Sequence, residues 1–174
     1  MSEIAIASDS VPFRAGRFAA VFASILLALF AAELMQPIQQ ALVEPWTDLV
    51  ARASAALLRA LDRDVVVSGA TIMSASSGFG IVIRAGCNGV EATLVLLAAM
   101  LAYPAPWRHR LLGFLAGALA VQALNFVRIA SLFYLGRWNA TAFEWAHLYV
   151  WQALIMLDAL VVWLLWLRTI PRVR

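Results

Sequence analysis

Four apolar runs dominate this chain: Phe18 to Gln36, Asn88 to Tyr103, Leu111 to Leu135 and Leu148 to Leu167. Crossing the ~30 Å hydrocarbon core of a bilayer takes about 20 mostly apolar residues in a helix, because every main-chain polar group must be bonded within the segment. The runs are near that length. They predict an all-α integral membrane protein, a single membrane domain over residues 1–174 with four transmembrane helices at about 18–36, 88–103, 111–135 and 148–167. Composition agrees. The chain is 64% hydrophobic and 13% charged, whereas a soluble domain carries about 25% charged residues; a soluble core this apolar would lack the polar surface to cover it. The first run follows Arg14 and Arg17 as a signal peptide might. It is long for the apolar part of one, lacks a small-x-small exit and is followed by further spans, so it reads as a retained helix.

The net charge of +3 is carried entirely by arginine on the basic side. In such a chain it is a topology signal, and no nucleic-acid partner is expected. Arg14 and Arg17 precede the first run, Arg108 and Arg110 lie between the second and third, and Arg168, Arg172 and Arg174 follow the fourth. Four spans put all three clusters on one side. The positive-inside rule makes that side the cytoplasm, with both termini there.

Residues 37–87 and 136–147 then face outward. Within the first, Leu42, Trp46, Leu49, Val50, Ala53, Leu57 and Leu61 recur at helical spacing, which predicts a small amphipathic helix along the outer membrane surface. Val65–Ser68, Ala70–Ser74 and Phe79–Arg84 are rich in Val and Ile and broken by Gly69, Ser76, Ser77 and Gly78. They read as a short β-like segment. Together these form an outer cap, about 37–87, that delivers the chain to Cys87.

Cys87 is the sole cysteine, so no intrachain disulfide is possible. It precedes the outer end of the second run, and His147 precedes the outer end of the fourth. Arg128 lies within the third run, about 25 Å from Leu111 at 1.5 Å per residue. The topology thus brings a thiol, an imidazole and a guanidinium to one level. Burying an arginine in a span costs at least ~2.5–3.5 kcal/mol, so it faces protein or a water-filled cavity. Gly113, Gly117, Gln122, Asn125 and Arg128 share one half of their helix, which should face the bundle. The structural reading of Arg128 is an ion pair with Glu91. Asp158 lies about as deep as Gln122, which predicts a hydrogen bond between them. Nothing resembles a metal site or a nucleotide-binding loop.

Cys87-Asn88-Gly89 opening an apolar helix, Asn125-Phe126-Val127-Arg128-Ile129 and the histidine heading the last helix occur in the order found in the exosortases. The short length and the runs Cys-Asn-Gly-Val-Glu and Glu-Trp-Ala-His-Leu-Tyr most resemble the small exosortase H type. One departure is Trp151, where many exosortases have glycine four residues after the histidine.

The resemblance implies a membrane-embedded cysteine transpeptidase of the bacterial inner membrane with its site facing outward. Its substrates would be secreted proteins carrying a C-terminal motif, a membrane helix and an Arg-rich tail. Cys87 would form a thioester at the scissile carbonyl, and an amine or water would resolve it. His147 would favour the thiolate and protonate the leaving amine. Arg128, which cannot lose its proton, would hold the oxyanion. Arg84, three residues before Cys87, is an alternative cation, and Asn88, Glu91 and Asn125 would orient the site. No cofactor is implied. The competing readings are a non-catalytic assembly subunit of a membrane complex and a small transporter using Arg128 and Asp158.

Overall fold

The computed structural model describes residues 15–170. Arg14, Arg172 and Arg174, which carry part of the orientation argument, lie outside them. Three helices are long and apolar enough to cross a bilayer: α1 (Ala15–Glu33), α5 (Trp107–Trp138) and the continuous helical run Ala140–Thr169. That run comprises α6 (Ala140–Trp145), a π-helical stretch Ala146–Val150 and α7 (Trp151–Thr169).

The expected second span is a shorter helix, α4 (Val90–Ala102), of 13 residues. At 1.5 Å per residue it is about 20 Å long, below the ~30 Å of a hydrocarbon core. Both of its ends have local causes. Gly89 takes a left-handed φ of 78° at the start, a conformation that favours glycine. Tyr103 is extended at the end because Pro104 disfavours helical geometry in the residue before it.

The segment 136–147, expected as an outward loop, is helical apart from Asn139. Asn139 is extended, and its side-chain oxygen accepts from the Ala142 N–H at 2.9 Å, capping α6. His147 therefore sits inside the π-helical stretch, not ahead of a helix. Asn139 is the one residue between Trp138 and Ala140 outside helical geometry, and the helical run resumes at once.

Between α1 and α4 the chain builds the cap. A single turn, α2 (Gln36–Ile38), and a π-helical stretch Gln39–Val43 lead into α3 (Glu44–Leu61). The expected amphipathic helix is present, and the face it turns to the rest of the protein is a separate stripe from the apolar one. Thr47, Val50, Ala51, Ser54, Ala55 and Leu58 are buried, while of the predicted apolar stripe only Val50 is; Leu49, Leu57 and Leu61 are exposed. Small residues let α3 approach its neighbours closely. Three strands follow, β1 (Val65–Ser68), β2 (Thr71–Ser74) and β3 (Gly80–Val82), as an antiparallel sheet in that order. They fall within the predicted segments.

Two cores result. In the bundle, α4 packs against α1, α5 and α7, and Ala92, Leu96, Met100, Val121, Ile155 and Trp166 form one apolar cluster. A Cβ on Gly117 would lie 2.7 Å from Leu96 Cδ2 and 2.9 Å from Val162 Cγ1, so glycine is what lets α5 approach α4 and α7. In the cap, Val50, Leu58, Ile72 and Ile83 pack on Ile129 and Phe133 of α5. Arg137 near the end of α5 pairs with Asp62 at 2.6 Å and Asp64 at 3.5 Å. Asp64 also accepts from Ser76 N–H at 2.8 Å and from Ser74 Oγ. These bonds hold both carboxyls below the usual aspartate range: in Asp62 mainly through the Asp64 amide and Arg137, in Asp64 mainly through Ser74 and Ser76.

Candidate active site

The loop from Ile83 to Gly89 runs between the cap and α4, and α5 grips it by a repeating set of hydrogen bonds. Gln122 Nε2 donates to the Asn88 carbonyl at 3.0 Å, Asn125 Nδ2 to the Cys87 carbonyl at 3.2 Å, and Arg128 Nη1 to the Gly86 carbonyl at 2.9 Å. Three residues spaced by three on a helix thus hold three successive carbonyls of a chain running the opposite way. The expectation that this half of α5 faces protein holds: Gly117, Asn125 and Arg128 are all buried.

Asn88 is fully buried. Its Nδ2 donates to Thr47 Oγ1 at 2.9 Å, its Oδ1 accepts from Val90 N–H at 3.0 Å, and Trp46 Nε1 donates to its carbonyl at 3.2 Å. A Cβ on Gly89 would overlap Gln122 Oε1, so the left-handed backbone and the close helix both require glycine there.

Arg128 is 2% exposed. Besides holding Gly86, it donates from Nη2 to Cys87 Sγ at 3.5 Å. Glu91 accepts from the Gly86 N–H. The expected Arg128–Glu91 ion pair does not form: the two side chains clasp Gly86 from its carbonyl and its amide sides instead. Gly86 has a φ of 82°, which aims both groups outward from the turn. The predicted Gln122–Asp158 hydrogen bond is also absent. Gln122 spends its amide on Asn88, and Asp158 Oδ2 is buried without a hydrogen-bond partner.

A cavity of about 330 Å³ opens beside this loop, at the small end of ligand-pocket sizes. Cys87, Arg128 and His147 all line it, with Arg84, Phe143 and residues of β3. Phe143 stacks on the His147 ring at 5.6 Å and meets Phe79 edge-on at 5.7 Å. His147 Nδ1 is buried with no hydrogen-bond partner. The Arg84 side chain is exposed and forms no hydrogen bond or ion pair among the described residues, whereas Arg128 touches the sulfur. Burial pushes the Cys87 thiol above its ordinary range; Arg128 pulls it down and Glu91 pushes it up again.

The structure thus brings Cys87, Arg128 and His147 to one cavity, puts Asn88, Glu91 and Asn125 behind the loop, and leaves Arg84 on the cavity wall. Gly86, Trp46, Thr47 and Phe143 belong to the same arrangement and were not anticipated. Trp46 and Thr47 lie some 40 positions before Asn88 and no local pattern marks them. The Gly86–Cys87 pair could have signalled a turn.

No curated protein and no solved structure matches the chain significantly. The model of the transmembrane exosortase family (Exosortase_EpsH) matches residues 11–165. Nearly the whole chain is covered, including the loop, α5 and the helix that carries His147, and the chain belongs to the transmembrane exosortase family.

Proposed function

We propose that this protein is a cysteine transpeptidase that cuts the C-terminal sorting segment from secreted proteins at the outer boundary of the bacterial inner membrane. The observation that carries this reading is the contact of Arg128 Nη2 with Cys87 Sγ at 3.5 Å, in a cavity that His147 also lines. Holding the Gly86 carbonyl takes only one arm of the Arg128 guanidinium; the other is left for the lone thiol.

The chemistry follows from the groups. His147 takes the Cys87 proton, and the guanidinium of Arg128 stabilises the thiolate against burial. The sulfur attacks the scissile carbonyl carbon, a C–S bond forms, and the carbonyl electron pair moves onto oxygen. Arg128 then holds that oxyanion. Collapse breaks the C–N bond, and the leaving amine takes the proton from His147. The thioester passes its acyl group to an incoming amine or to water, which gives transfer or hydrolysis and frees the thiol. Glu91, Asn125 and Asn88 act by holding the loop.

The transporter reading lacks a linked path: Arg128 is engaged with Gly86 and Cys87, and Asp158 Oδ2 has no hydrogen-bond partner. An assembly subunit would not need a cation on its thiol. The test is processing of a co-expressed secreted protein bearing a C-terminal membrane segment, by wild type and by Cys87→Ala, Arg128→Ala and His147→Ala. Processing should fall to background for Cys87→Ala and sharply for the other two. Normal processing by all three at equal abundance would end the proposal.

A further inference from the structure

β3 (Gly80–Val82) is an edge strand, paired on one side only, with β2. In an antiparallel pair alternate residues exchange main-chain hydrogen bonds with the partner, and those between them turn their N–H and C=O groups away. The register settles which residues do which. The Phe79 carbonyl accepts from Ser74 N–H at 2.8 Å and Ile83 N–H donates to the Ala70 carbonyl at 2.9 Å, with Ile81 opposite Ile72 between them. Phe79, Ile81 and Ile83 therefore face β2. Gly80 and Val82 present their amides and carbonyls to the open side, while the Arg84 carbonyl accepts from the Cys87 N–H at 2.9 Å in the turn that follows.

The cavity touches Gly80, Ile81, Val82, Ile83, Arg84 and Ala85 in unbroken succession. Side chains alternate across a strand, so a cavity confined to one face of the sheet would meet every second residue. Gly80, Ile81 and Val82 of the strand all line it, and the lining continues through Ile83, Arg84 and Ala85, a pattern that fits a cavity following the main chain along the strand's edge. It continues to Cys87, and Phe143 and His147 form another part of its wall.

We infer that the substrate segment around the scissile bond binds in extended conformation as a fourth strand on the open edge of β3. The inference rests on the peptide-transfer reading above. An edge of free amides and carbonyls complements another peptide main chain and gives affinity independent of sequence, with side-chain pockets adding selectivity. The edge also leads straight to the nucleophile. The cavity that a fourth strand on Gly80 and Val82 would enter is also lined by Cys87 and Arg128, where an acyl donor must lie. A second copy of this chain paired at the same edge would occupy the space but present no bond for cleavage.

Proline tests the edge directly. Its missing N–H is tolerated where that group points away from the sheet. Val82→Pro in the full-length protein in membranes should slow processing of the co-expressed substrate about ten-fold, the scale of losing one main-chain hydrogen bond. Val67→Pro is the matched control: by the β1–β2 register Val67 points its N–H to the opposite edge of the sheet, and it should stay within about two-fold of wild type. A second measurement covers the case in which Val82→Pro does not accumulate. Val82→Cys in the Cys87→Ala background is oxidised against substrates carrying single cysteines at successive positions near the cleavage site. Cross-links at every second position support the added strand. Val82→Pro processing at the wild-type rate, cross-links without a two-residue period, or a Val82→Cys homodimer would overturn it. Failure of the transfer reading itself looks different, because Cys87→Ala would then still process substrate.

Discussion

Along the half of α5 nearest Trp107, Gly113, Gly117 and Val121 face the neighbouring helices, and contact there is made by fitting: Trp166 lies over Gly113 and Leu96 over Gly117. Along the half nearest the cap, Gln122, Asn125 and Arg128 occupy the same side of the helix, and contact is made by hydrogen bonds to the carbonyls of Asn88, Cys87 and Gly86. One helix face thus changes from shape complementarity to polar recognition within about one turn. A helix neighbour saturates its own main-chain groups and offers only side chains to fit. An irregular loop leaves carbonyls open, and those facing a packed helix must find a donor there. The two halves should therefore respond differently to mutation.

The largest effect is expected at the polar half. Arg128→Lys keeps the charge but loses the planar fork that reaches a carbonyl and the sulfur together. Processing should drop about 10²–10³-fold, the scale of removing one oxyanion donor, with little change in membrane abundance. A merely structural Arg128 would give the reverse pattern. The same residue sets the thiol. Because Arg128 lowers the Cys87 pKa against burial, Arg128→Ala should move the pH midpoint of Cys87 alkylation by iodoacetamide upward. An unchanged midpoint would separate the guanidinium from the sulfur.

A smaller effect is expected at the fitted half. Gly117→Leu forces methylenes against Leu96 and Val162 and should cost about 1–3 kcal/mol of stability. It should be read as a lower melting temperature in detergent, with processing falling only in proportion to folded protein. A specific loss of turnover at normal stability would erase the contrast between the halves.

The smallest effect concerns the cap's tie to the end of α5. Asp62 and Asp64 have their pKa values depressed in the fold. Their contribution is complete above the ordinary aspartate range and fades as pH falls through the lower, folded values. Arg137→Ala should flatten that acid dependence without abolishing folding, measurable as protease sensitivity of the cap between pH 5 and about pH 2.

Much of this was legible in the sequence. The strand segments follow from Val and Ile runs cut by glycine and serine. The polar face of α5 follows from the spacing of Gln122, Asn125 and Arg128, and the order of Cys87, Arg128 and His147 indicates the family. Partner choice was not legible. Pairing Arg128 with Glu91 assumes that opposite charges meet, whereas each found a main-chain group of Gly86. Matching Asp158 to Gln122 by depth ignores which way each side chain points. The loop expected at 136–147 reflects a further limit: one extended residue, Asn139, is enough to start a new helix, so a helical break need not be long.

Gly86 has consequences for how the sulfur can move. Its amide and its carbonyl are both occupied, by Glu91 and Arg128, and the next two carbonyls are bound as well. The peptide planes on either side of Cys87 are thereby clamped like the bearings of an axle. What remains to Cys87 is rotation about its Cα–Cβ bond among three staggered positions. Re-aiming the sulfur is then a matter of a side-chain rotor turning, on the picosecond-to-nanosecond scale of such flips, and not of a loop swinging into place.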